Sequence, residues 1–130
     1  MPEAVLAITG ASGARYGVRL LDALLEAEWK VSLIVTNAGA INLDLECGIT
    51  PEDLALRDGV SLEDNRNLAA RSASGSARYE ACVVCPASGT TIGKIGAGIS
   101  DNLATRSALV ALKERRKLIL VPRETPVATP

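Results

Sequence analysis

Short apolar runs alternate with stretches of helical periodicity along this chain, and this alternation limits the folds that it can adopt. Four continuous apolar runs stand out, at residues 4–9, 30–35, 81–85 and 117–121. Runs of this length are typical of strands buried on both faces of a parallel sheet. Between the first two, residues 14–28 place Val18, Leu21 and Leu25 at helical spacing. The alternation predicts a Rossmann-like, doubly wound parallel sheet in a three-layer α/β/α arrangement, formed by residues 1–130 as a single domain.

Cap and periodicity signals place further helices between the strands. Residues 38–45 and 102–116 have helical patterns, and another helical stretch begins at about Thr90. Thr50 before Pro51 has the pattern of an N-cap followed by a first-turn proline. We therefore expect a helix to start there.

The middle of the chain contains a predicted loop that is mobile or contacts a ligand. Residues 57–78 are polar and mixed in character, and residues 72–76 (SASGS) are the most loop-like stretch. Pro86 follows the third apolar run and is predicted to end that strand. A loop of this kind is a candidate for contact with a ligand.

Composition excludes several classes of function. The 14 basic and 15 acidic side chains leave a net charge of -1, so bulk attraction to nucleic acid is not expected. Aromatic residues make up 2% of the chain, too few for a base-stacking surface. No window has the length and apolar character of a signal peptide or a membrane span, so we expect a cytoplasmic protein without a membrane anchor.

The cysteines favour a structural interpretation. There are 3 of them, and an odd number in a reducing compartment does not predict a disulfide framework. Cys82 and Cys85 spell CxxC but lie in a predicted strand, where residues three apart point to opposite faces. A shared metal ion or a redox pair is therefore not expected, and no metal site is predicted.

Two turns rich in glycine and hydroxyl groups each follow a predicted strand and precede a helix. They are residues 10–13 (GASG) and 85–91 (CPASGTT). Free N–H groups and the helix dipole favour an anion at such places. Neither turn has the full GxGxxG or GK[ST] pattern, so a purely structural turn is the alternative. If the two strands are neighbours at the switch point of the sheet, both turns flank one ligand crevice.

A basic helix and the strand after it predict a local anion site. Six of the 14 cations lie within residues 106–123. Arg106 and Lys113 are two helical turns apart and share a helix face, while Arg123 follows the last strand with Glu124 beside it. We predict that these three cations converge on a phosphate and that Glu124 exchanges protons with the ligand. A solvated helix face and a surface ion pair are the alternatives.

At this point the sequence resembles the UbiX-type flavin prenyltransferases, the phenylacrylic acid decarboxylase-like group of homo-oligomeric flavoproteins. The matching segments are ITGASGARYGVRLL at 8–21, VTNAGA at 35–40 with Glu46, ASGS at 73–76, CPASGTT at 85–91 and GISDNLATRSALVALKERRKLILVPRETP at 98–126. These segments span nearly the whole chain, and the last is the most specific. Members of that family continue with a further helix, strand and PAFYxxP-like segment, so we expect this chain to be short at its C-terminus relative to them.

The resemblance implies that FMN lies in the crevice, near subunit boundaries of a large homo-oligomer, a dodecamer. By the resemblance, the FMN contacts fall on Gly10, Ala11, Ser12, Thr36, Ser88, Gly89, Thr90, Thr91 and Arg123. The contacts with dimethylallyl phosphate fall on Ser74, Gly75, Arg106, Lys113 and Glu124, and catalytic roles fall on Ser12, Glu46 and Glu124. Thr36 stands where a serine is more usual. From the sequence pattern alone, Glu46 is predicted to be a surface residue.

The resemblance also implies the chemistry. In enzymes that this chain resembles, N5 of reduced FMN attacks the allylic carbon as phosphate leaves, and a second bond closes a fourth ring. The product, prenylated FMN, passes to a UbiD-type decarboxylase, for example in ubiquinone biosynthesis. Concentrated positive charge would stabilise a departing phosphate, and a carboxylate can accept and donate the protons that the reaction transfers.

Two other functions are compatible with parts of the pattern. The first is a non-catalytic, oligomeric module that binds FMN. The second is a flavin-dependent cysteine decarboxylase, whose PASANT-type motif residues 85–103 resemble. That enzyme relies on a histidine, and this chain has 0, which argues against it.

Overall fold

A five-stranded parallel sheet forms the centre of the molecule. The computed structural model describes residues 1–123. Its elements are β1 (Glu3–Ile8), α1 (Ala14–Glu26), β2 (Lys30–Val35), α2 (Asn37–Cys47), α3 (Pro51–Ala55), β3 (Val60–Glu63), a 3-10 turn (Arg71–Ala73), β4 (Ala81–Ala87), α4 (Gly89–Gly96), α5 (Leu103–Lys113) and β5 (Lys117–Pro122). The strands lie in the order β3-β2-β1-β4-β5, and every pair is parallel. The predicted three-layer, doubly wound α/β fold is confirmed.

Alternate residues of the central strands divide the core into two layers. In β1, Leu6 and Ile8 pack with side chains of α1, α2 and α3, whereas Val5 and Ala7 pack with those of α5. All four are at most 2% exposed. Full burial of a large aliphatic side chain contributes about 2 kcal/mol. Apolar residues are therefore needed at residues 4–8 of β1, which explains the continuous apolar run.

The switch point of the sheet lies between β1 and β4. The chain proceeds from β1 to β2 and β3 on one side, then returns to pair β4 with the other side of β1. The connections that follow β1 and β4 therefore leave the sheet in opposite directions and open a crevice at their carboxyl ends. As predicted, the two glycine- and hydroxyl-rich turns flank this crevice.

The β3 strand lies in the polar stretch at residues 57–78, where the sequence predicted no strand. It pairs in parallel with β2 from Val60 to Glu63. Because it is a four-residue edge strand with half-buried and exposed side chains, it has no apolar run that would reveal it.

A second correction concerns Pro86, which lies inside β4 and does not end it. The register of β4 against β5 shifts between Val84 and Ala87, and proline is tolerated at such an irregularity because no ladder N–H is required there. The Cys85-Pro86 peptide bond is cis. The strand continues to Ala87, at the edge of the crevice.

The helices begin and end within a few residues of their predicted bounds. Thr50 caps α3 as predicted, and Asp53 completes a capping box with it. Asn102 caps α5, so that helix starts one residue later than predicted. Among residues 1–123, no helix combines the length and the apolar character needed to cross a bilayer.

Candidate functional site

The carboxyl ends of β1, β2 and β4 border a cavity of about 410 Å³, called here the crevice cavity. Its lining residues are Gly10, Thr36, Asn37, Ala38, Asn65, Ser88, Thr90, Thr91, Lys94 and Asn102. The N-terminal ends of α2, α4 and α5 all open onto it. Five of the predicted FMN contacts lie here although they are distant in sequence: Gly10, Thr36, Ser88, Thr90 and Thr91. Their contact with FMN stays a prediction.

The side chain of Thr9 ties the two turns of the crevice together. It is 1% exposed. Its hydroxyl donates to the Pro86 carbonyl at 2.7 Å and accepts from the Ser88 N–H at 2.8 Å. The Thr9 N–H also donates to the Pro86 carbonyl, at 3.2 Å. The end of β1 is thereby fixed relative to the start of α4.

Thr36 and Ser88 cap the helices that open onto the crevice cavity. The Thr36 hydroxyl accepts from the Gly39 N–H at 3.0 Å. The Ser88 hydroxyl accepts from the Thr91 N–H at 3.2 Å and donates to the Thr91 hydroxyl at 2.9 Å. Each side chain thus satisfies one of the N–H groups that a helix start leaves without a partner.

The remaining N–H groups at these two helix starts have no acceptor among residues 1–123. They belong to Asn37 and Ala38 in α2 and to Gly89 and Thr90 in α4, and none donates to a described residue. Two helix dipoles add partial positive charge at the same place. The crevice cavity is therefore suited to a phosphate group.

The N-terminus of α5 differs, because two asparagines close it. Asn65 accepts from the N–H groups of Leu103 at 2.8 Å and Ala104 at 2.9 Å. Asn102 accepts from the Thr105 N–H at 2.9 Å. Consequently α5 borders the cavity, but the N–H groups available to an anion belong to α2 and α4.

Close approach of the backbone explains Gly10. A Cβ atom at this position would overlap the Cβ of Ala38 in the first turn of α2. Nearby, the Asn42 side chain donates to the carbonyl of Ala11 at 3.0 Å. The turn after β1 is therefore packed directly against α2, as the narrow crevice requires.

The N-terminus of α1 is closed by Glu46, which reaches it from α2. Gly13 occupies the N-cap position with φ 100° and offers no side chain to cap the helix. One carboxylate oxygen of Glu46 accepts from the N–H groups of Gly13 at 3.0 Å and Ala14 at 3.1 Å. A ligand anion was predicted at this helix start, but the chain's own carboxylate already uses two of its N–H groups. The prediction of a simple surface position for Glu46 is wrong, since Glu46 is half-buried.

A second cavity, of about 720 Å³, adjoins this turn and is called here the arginine cavity. Its lining residues are Ser12, Gly13, Arg15, Tyr16, Arg19, Leu45, Glu46 and Arg123. The guanidinium carbon of Arg123 lies 4.7 Å from the centroid of the Tyr16 ring, a cation–π contact that orients the charge. Three residues predicted from separate segments, Ser12, Glu46 and Arg123, are thus brought together.

The other predicted substrate residues lie away from both cavities. The Ser74-Gly75 loop is held at the amino edge of the sheet, where Arg116 donates to the Gly75 carbonyl at 2.8 Å. Lys113 ends α5 beside this loop. The β5 strand of 6 residues separates Lys113 from Arg123, a span of about 20 Å.

The predicted convergence of three cations is therefore wrong within a single chain. Arg106 and Lys113 are exposed on α5, which packs against the face of the sheet opposite to α1. Arg123 contacts α1 instead. The separate roles of these cations stay predictions, and Glu124, predicted to manage protons, lies outside the described residues.

A third cavity, of about 520 Å³, shares Thr36, Asn37 and Asn65 with the crevice cavity. On its wall, hydrogen bonds from Arg66 to the Asp64 carboxylate lower the pKa of Asp64 from 3.8 to about 2. The side chain of Arg66 has the larger effect and its backbone N–H the smaller one. The exposed pair therefore stays charged at neutral pH and adds no net charge to this wall.

Comparison with known proteins identifies the family. The chain matches the Flavoprotein family over residues 2–127. It is 37% identical to the flavin prenyltransferase UbiX of Pseudomonas aeruginosa, with 98% of this chain and 68% of that protein aligned. The chain belongs to the UbiX-type flavoproteins.

Two solved structures of this family share the fold closely. AnUbiX (PadA1), in complex with FMN and dimethylallyl pyrophosphate, superposes with a TM-score of 0.90 at 36% identity, over 98% of this chain and 67% of that one. A dodecameric FMN-dependent Ubix-like decarboxylase from Escherichia coli O157:H7 has a TM-score of 0.90 at 39% identity, over 98% of this chain and 69% of that one. This UbiX-type chain therefore spans roughly two thirds of the length of its relatives.

Several residues of the site were missed by sequence reasoning. Thr9 ends the first apolar run and was assigned only to the strand. Asn65 lies in the mixed polar stretch at residues 57–78, to which no strand or helix was assigned, and Asn102 was assigned only to the start of the last helix. Arg15 and Arg19 are four residues apart on α1, a spacing that places them on one helix face, but only the fold shows that they line the same cavity as Arg123.

Proposed function

We propose that this chain is a flavin prenyltransferase that joins the dimethylallyl group of dimethylallyl phosphate to reduced FMN. One observation carries the proposal. Two cavities lie on either side of the turn at residues 10–13. One is bordered by helix N–H groups that have no acceptor among residues 1–123, and the other by three arginines. An anionic acceptor and an anionic donor can thus bind side by side, the arrangement that a group transfer between them requires.

The crevice cavity fits FMN. Its phosphate would accept from the N–H groups of Asn37, Ala38, Gly89 and Thr90. The lack of a side chain at Gly10 lets the turn after β1 pack against Ala38 at the edge of the crevice. Reduced FMN, when bound, supplies the nucleophilic ring atoms that accept the prenyl group. The protein residues hold it by these contacts.

The arginine cavity fits the phosphate of the donor. Arg123, held against the Tyr16 ring, would stabilise negative charge on the departing phosphate. The Ser12 hydroxyl borders the same cavity and can donate a hydrogen bond to it. We assign proton transfer to Glu124, with Glu46 holding the turn in place through Gly13 and Ala14.

The remaining donor contacts would come from neighbouring chains. Because Ser74, Gly75 and Lys113 lie at the amino edge, far from Arg123, a second copy must bring them to the cavity if they bind the same phosphate. This supports a homo-oligomer, which we propose to be a dodecamer in the cytoplasm. A UbiD-type decarboxylase, as in ubiquinone biosynthesis, is the proposed recipient of the prenylated FMN.

The test is a mass measurement under anaerobic conditions. Reduced FMN and dimethylallyl phosphate are incubated with the protein, and the flavin is extracted. We expect a flavin heavier by one prenyl group, and Arg123→Gln is expected to abolish its formation. Recovery of unmodified FMN alone, from protein shown to bind FMN, would count against the enzyme.

One observation favours a second function, a non-catalytic FMN-binding module. The crevice cavity is built from one chain, whereas the predicted donor contacts are divided between two edges of the sheet. A module of this kind would bind FMN as tightly as the enzyme does. It would give no product, and Glu124→Gln would leave its properties unchanged.

A further inference from the structure

Lys94 is the one charged side chain on the wall of the crevice cavity, counted over the described residues 1–123. It belongs to α4 and lies one helical turn after Thr90. Because side chains of a helix lean toward its N-terminus, the stem of Lys94 covers the turn that begins at Thr90. A full positive charge therefore borders the N–H groups that the proposed FMN phosphate would use.

The two helix starts alone do not balance the charge of a phosphate monoester such as FMN. That group carries about -1.5 to -2 charge at neutral pH. The N-terminus of a helix is equivalent to about half a positive charge, so α2 and α4 together supply about one. About one negative charge of the phosphate would remain unmatched, and Lys94 can match it from the same cavity wall.

In the structure Lys94 is paired with Asp101, which precedes the N-cap residue of α5. The ammonium group lies 3.0 and 3.2 Å from the two carboxylate oxygens. The side chains are 31% exposed for Lys94 and 53% exposed for Asp101, and ion pairs so accessible to water contribute little stability. The pair therefore keeps the lysine at the edge of the cavity and can open easily when a more highly charged anion binds.

Resting on the proposed function, in which this cavity binds FMN, we propose that Lys94 selects phosphorylated flavin over riboflavin. Its ammonium group leaves Asp101 and donates to the FMN phosphate, because a phosphate dianion attracts it more strongly than one carboxylate does. Riboflavin ends in a hydroxyl group and carries no such charge, so Lys94 stays with Asp101 when riboflavin binds. Asp101 thus competes with the phosphate and limits the affinity for FMN.

The experiment compares the Kd values of oxidised FMN and riboflavin for the whole chain, measured by quenching of flavin fluorescence. We expect Lys94→Gln to raise the Kd for FMN about tenfold, through the loss of one charge-assisted hydrogen bond, and the Kd for riboflavin less than about twofold. Lys94→Arg keeps the charge and should retain most of the preference for FMN. Lys30→Gln deletes an exposed charge at the amino edge of the sheet and should change neither Kd.

Asp101→Asn tests the competition in the opposite direction. It removes the carboxylate that holds Lys94, so the Kd for FMN should fall about threefold while the Kd for riboflavin stays constant. A pair that only stabilises the connection between α4 and α5 would behave differently. Both Lys94→Gln and Asp101→Asn would then weaken the binding of FMN and riboflavin equally, and that result overturns the inference.

Turnover separates this inference from the proposed function. If prenylated FMN forms but Lys94→Gln leaves the Kd for FMN unchanged, the prenyltransferase stands and the inference is overturned. If FMN binding depends on Lys94 as expected but no prenylated flavin forms, the inference stands and the proposed function fails. A wild-type protein that binds FMN no more tightly than riboflavin overturns the inference whatever the turnover shows.

Discussion

At the scale of single residues, Thr9 has the largest influence on the crevice. One buried hydroxyl bonds to both the carbonyl of Pro86 and the N–H of Ser88. These bonds fix the position of the N-terminus of α4, whose N–H groups face the proposed FMN phosphate. Thr9 does not line the cavity, so it acts as a positioning residue.

Replacing Thr9 with valine should weaken FMN binding. Thr9→Val keeps the shape of the side chain but leaves the Ser88 N–H without its acceptor, a loss of about 1–3 kcal/mol. We expect the Kd for FMN, measured by quenching of flavin fluorescence, to rise about tenfold. Thr9→Ser retains the hydroxyl and should restore most of the affinity.

A control separates this effect from general damage to the core. Ser107, in α5, has a buried hydroxyl with no hydrogen-bond partner among the described residues. Ser107→Ala should therefore change neither FMN affinity nor stability appreciably. If Thr9→Val lowers the melting temperature while the Kd for FMN stays at its wild-type value, the positioning role of Thr9 is wrong.

Gly10 gives a second prediction at this scale. Gly10→Ala should destabilise the protein by about 1–3 kcal/mol, because the new methyl group overlaps the side chain of Ala38. Urea unfolding measures this change. The double variant Gly10→Ala with Ala38→Gly should recover much of the loss. As a matched control, Gly93→Ala adds a methyl group that meets nothing within 4 Å, and it should not destabilise α4.

At the scale of elements, the strands show what sequence can and cannot predict. The four long apolar runs identify β1, β2, β4 and β5 because strands with buried faces need apolar side chains. The exposed edge strand β3 needs none and was missed. Pro86 was predicted to end β4, but it lies inside the strand at a shift of register against β5. The sequence of β4 alone does not reveal this shift, because it depends on the pairing with the neighbouring strand.

The candidate site likewise combines features that local sequence predicts with contacts that only the fold shows. The turns beside β1 and β4 were predicted because glycine, serine and threonine after a strand are local signals. The contact between Glu46 and the start of α1 joins residues 33 apart in sequence. No local pattern contains such a contact, so only the fold reveals it.

The burial of Cys82 and Cys85 in β4 determines how readily their thiols react. Burial raises the pKa of Cys82 to about 12, against a smaller opposing effect of Arg116, and burial also raises the pKa of Cys85. In the folded protein at pH 8 we expect Ellman's reagent to label only the half-buried Cys47. Rapid labelling of all three thiols without unfolding would contradict this prediction.

These thiols also give a pH dependence with a definite sign. Cys82 keeps its proton in the folded state while the unfolded thiol, with a pKa near its ordinary value of 9.0, loses it. The unfolded state therefore binds fewer protons above that pH, and the free energy of unfolding should fall as pH rises from about 9 toward 12. Cys82→Ala should flatten this fall in urea unfolding measured at several pH values.

At the scale of the whole molecule, the predicted donor contacts lie at two edges of one sheet. Arg123 belongs to the carboxyl edge, and Lys113 with the Ser74-Gly75 loop belongs to the amino edge. If the site is formed by residues of two copies of the chain, two inactive variants should restore activity when they assemble together. Arg123→Gln and Lys113→Ala should each be inactive alone. Unfolded together and refolded as a mixture, they should recover about a quarter of wild-type activity, since random assembly leaves that share of sites intact.

Two controls define this experiment. Each variant refolded by itself should stay inactive, and a mixture of the separately folded proteins should gain activity only as fast as the oligomers exchange chains. If the co-refolded mixture stays inactive although native mass spectrometry detects mixed oligomers, the two groups do not serve one site.

The closure of α1 by Glu46 has a consequence for the order in which the chain assembles. During synthesis, Gly13 and Ala14 leave the ribosome long before Glu46. Until β2 and α2 have been made and docked, the start of α1 lacks its cap and remains prone to fraying. The first βα unit is therefore completed only by the second, and the two fold as one cooperative unit.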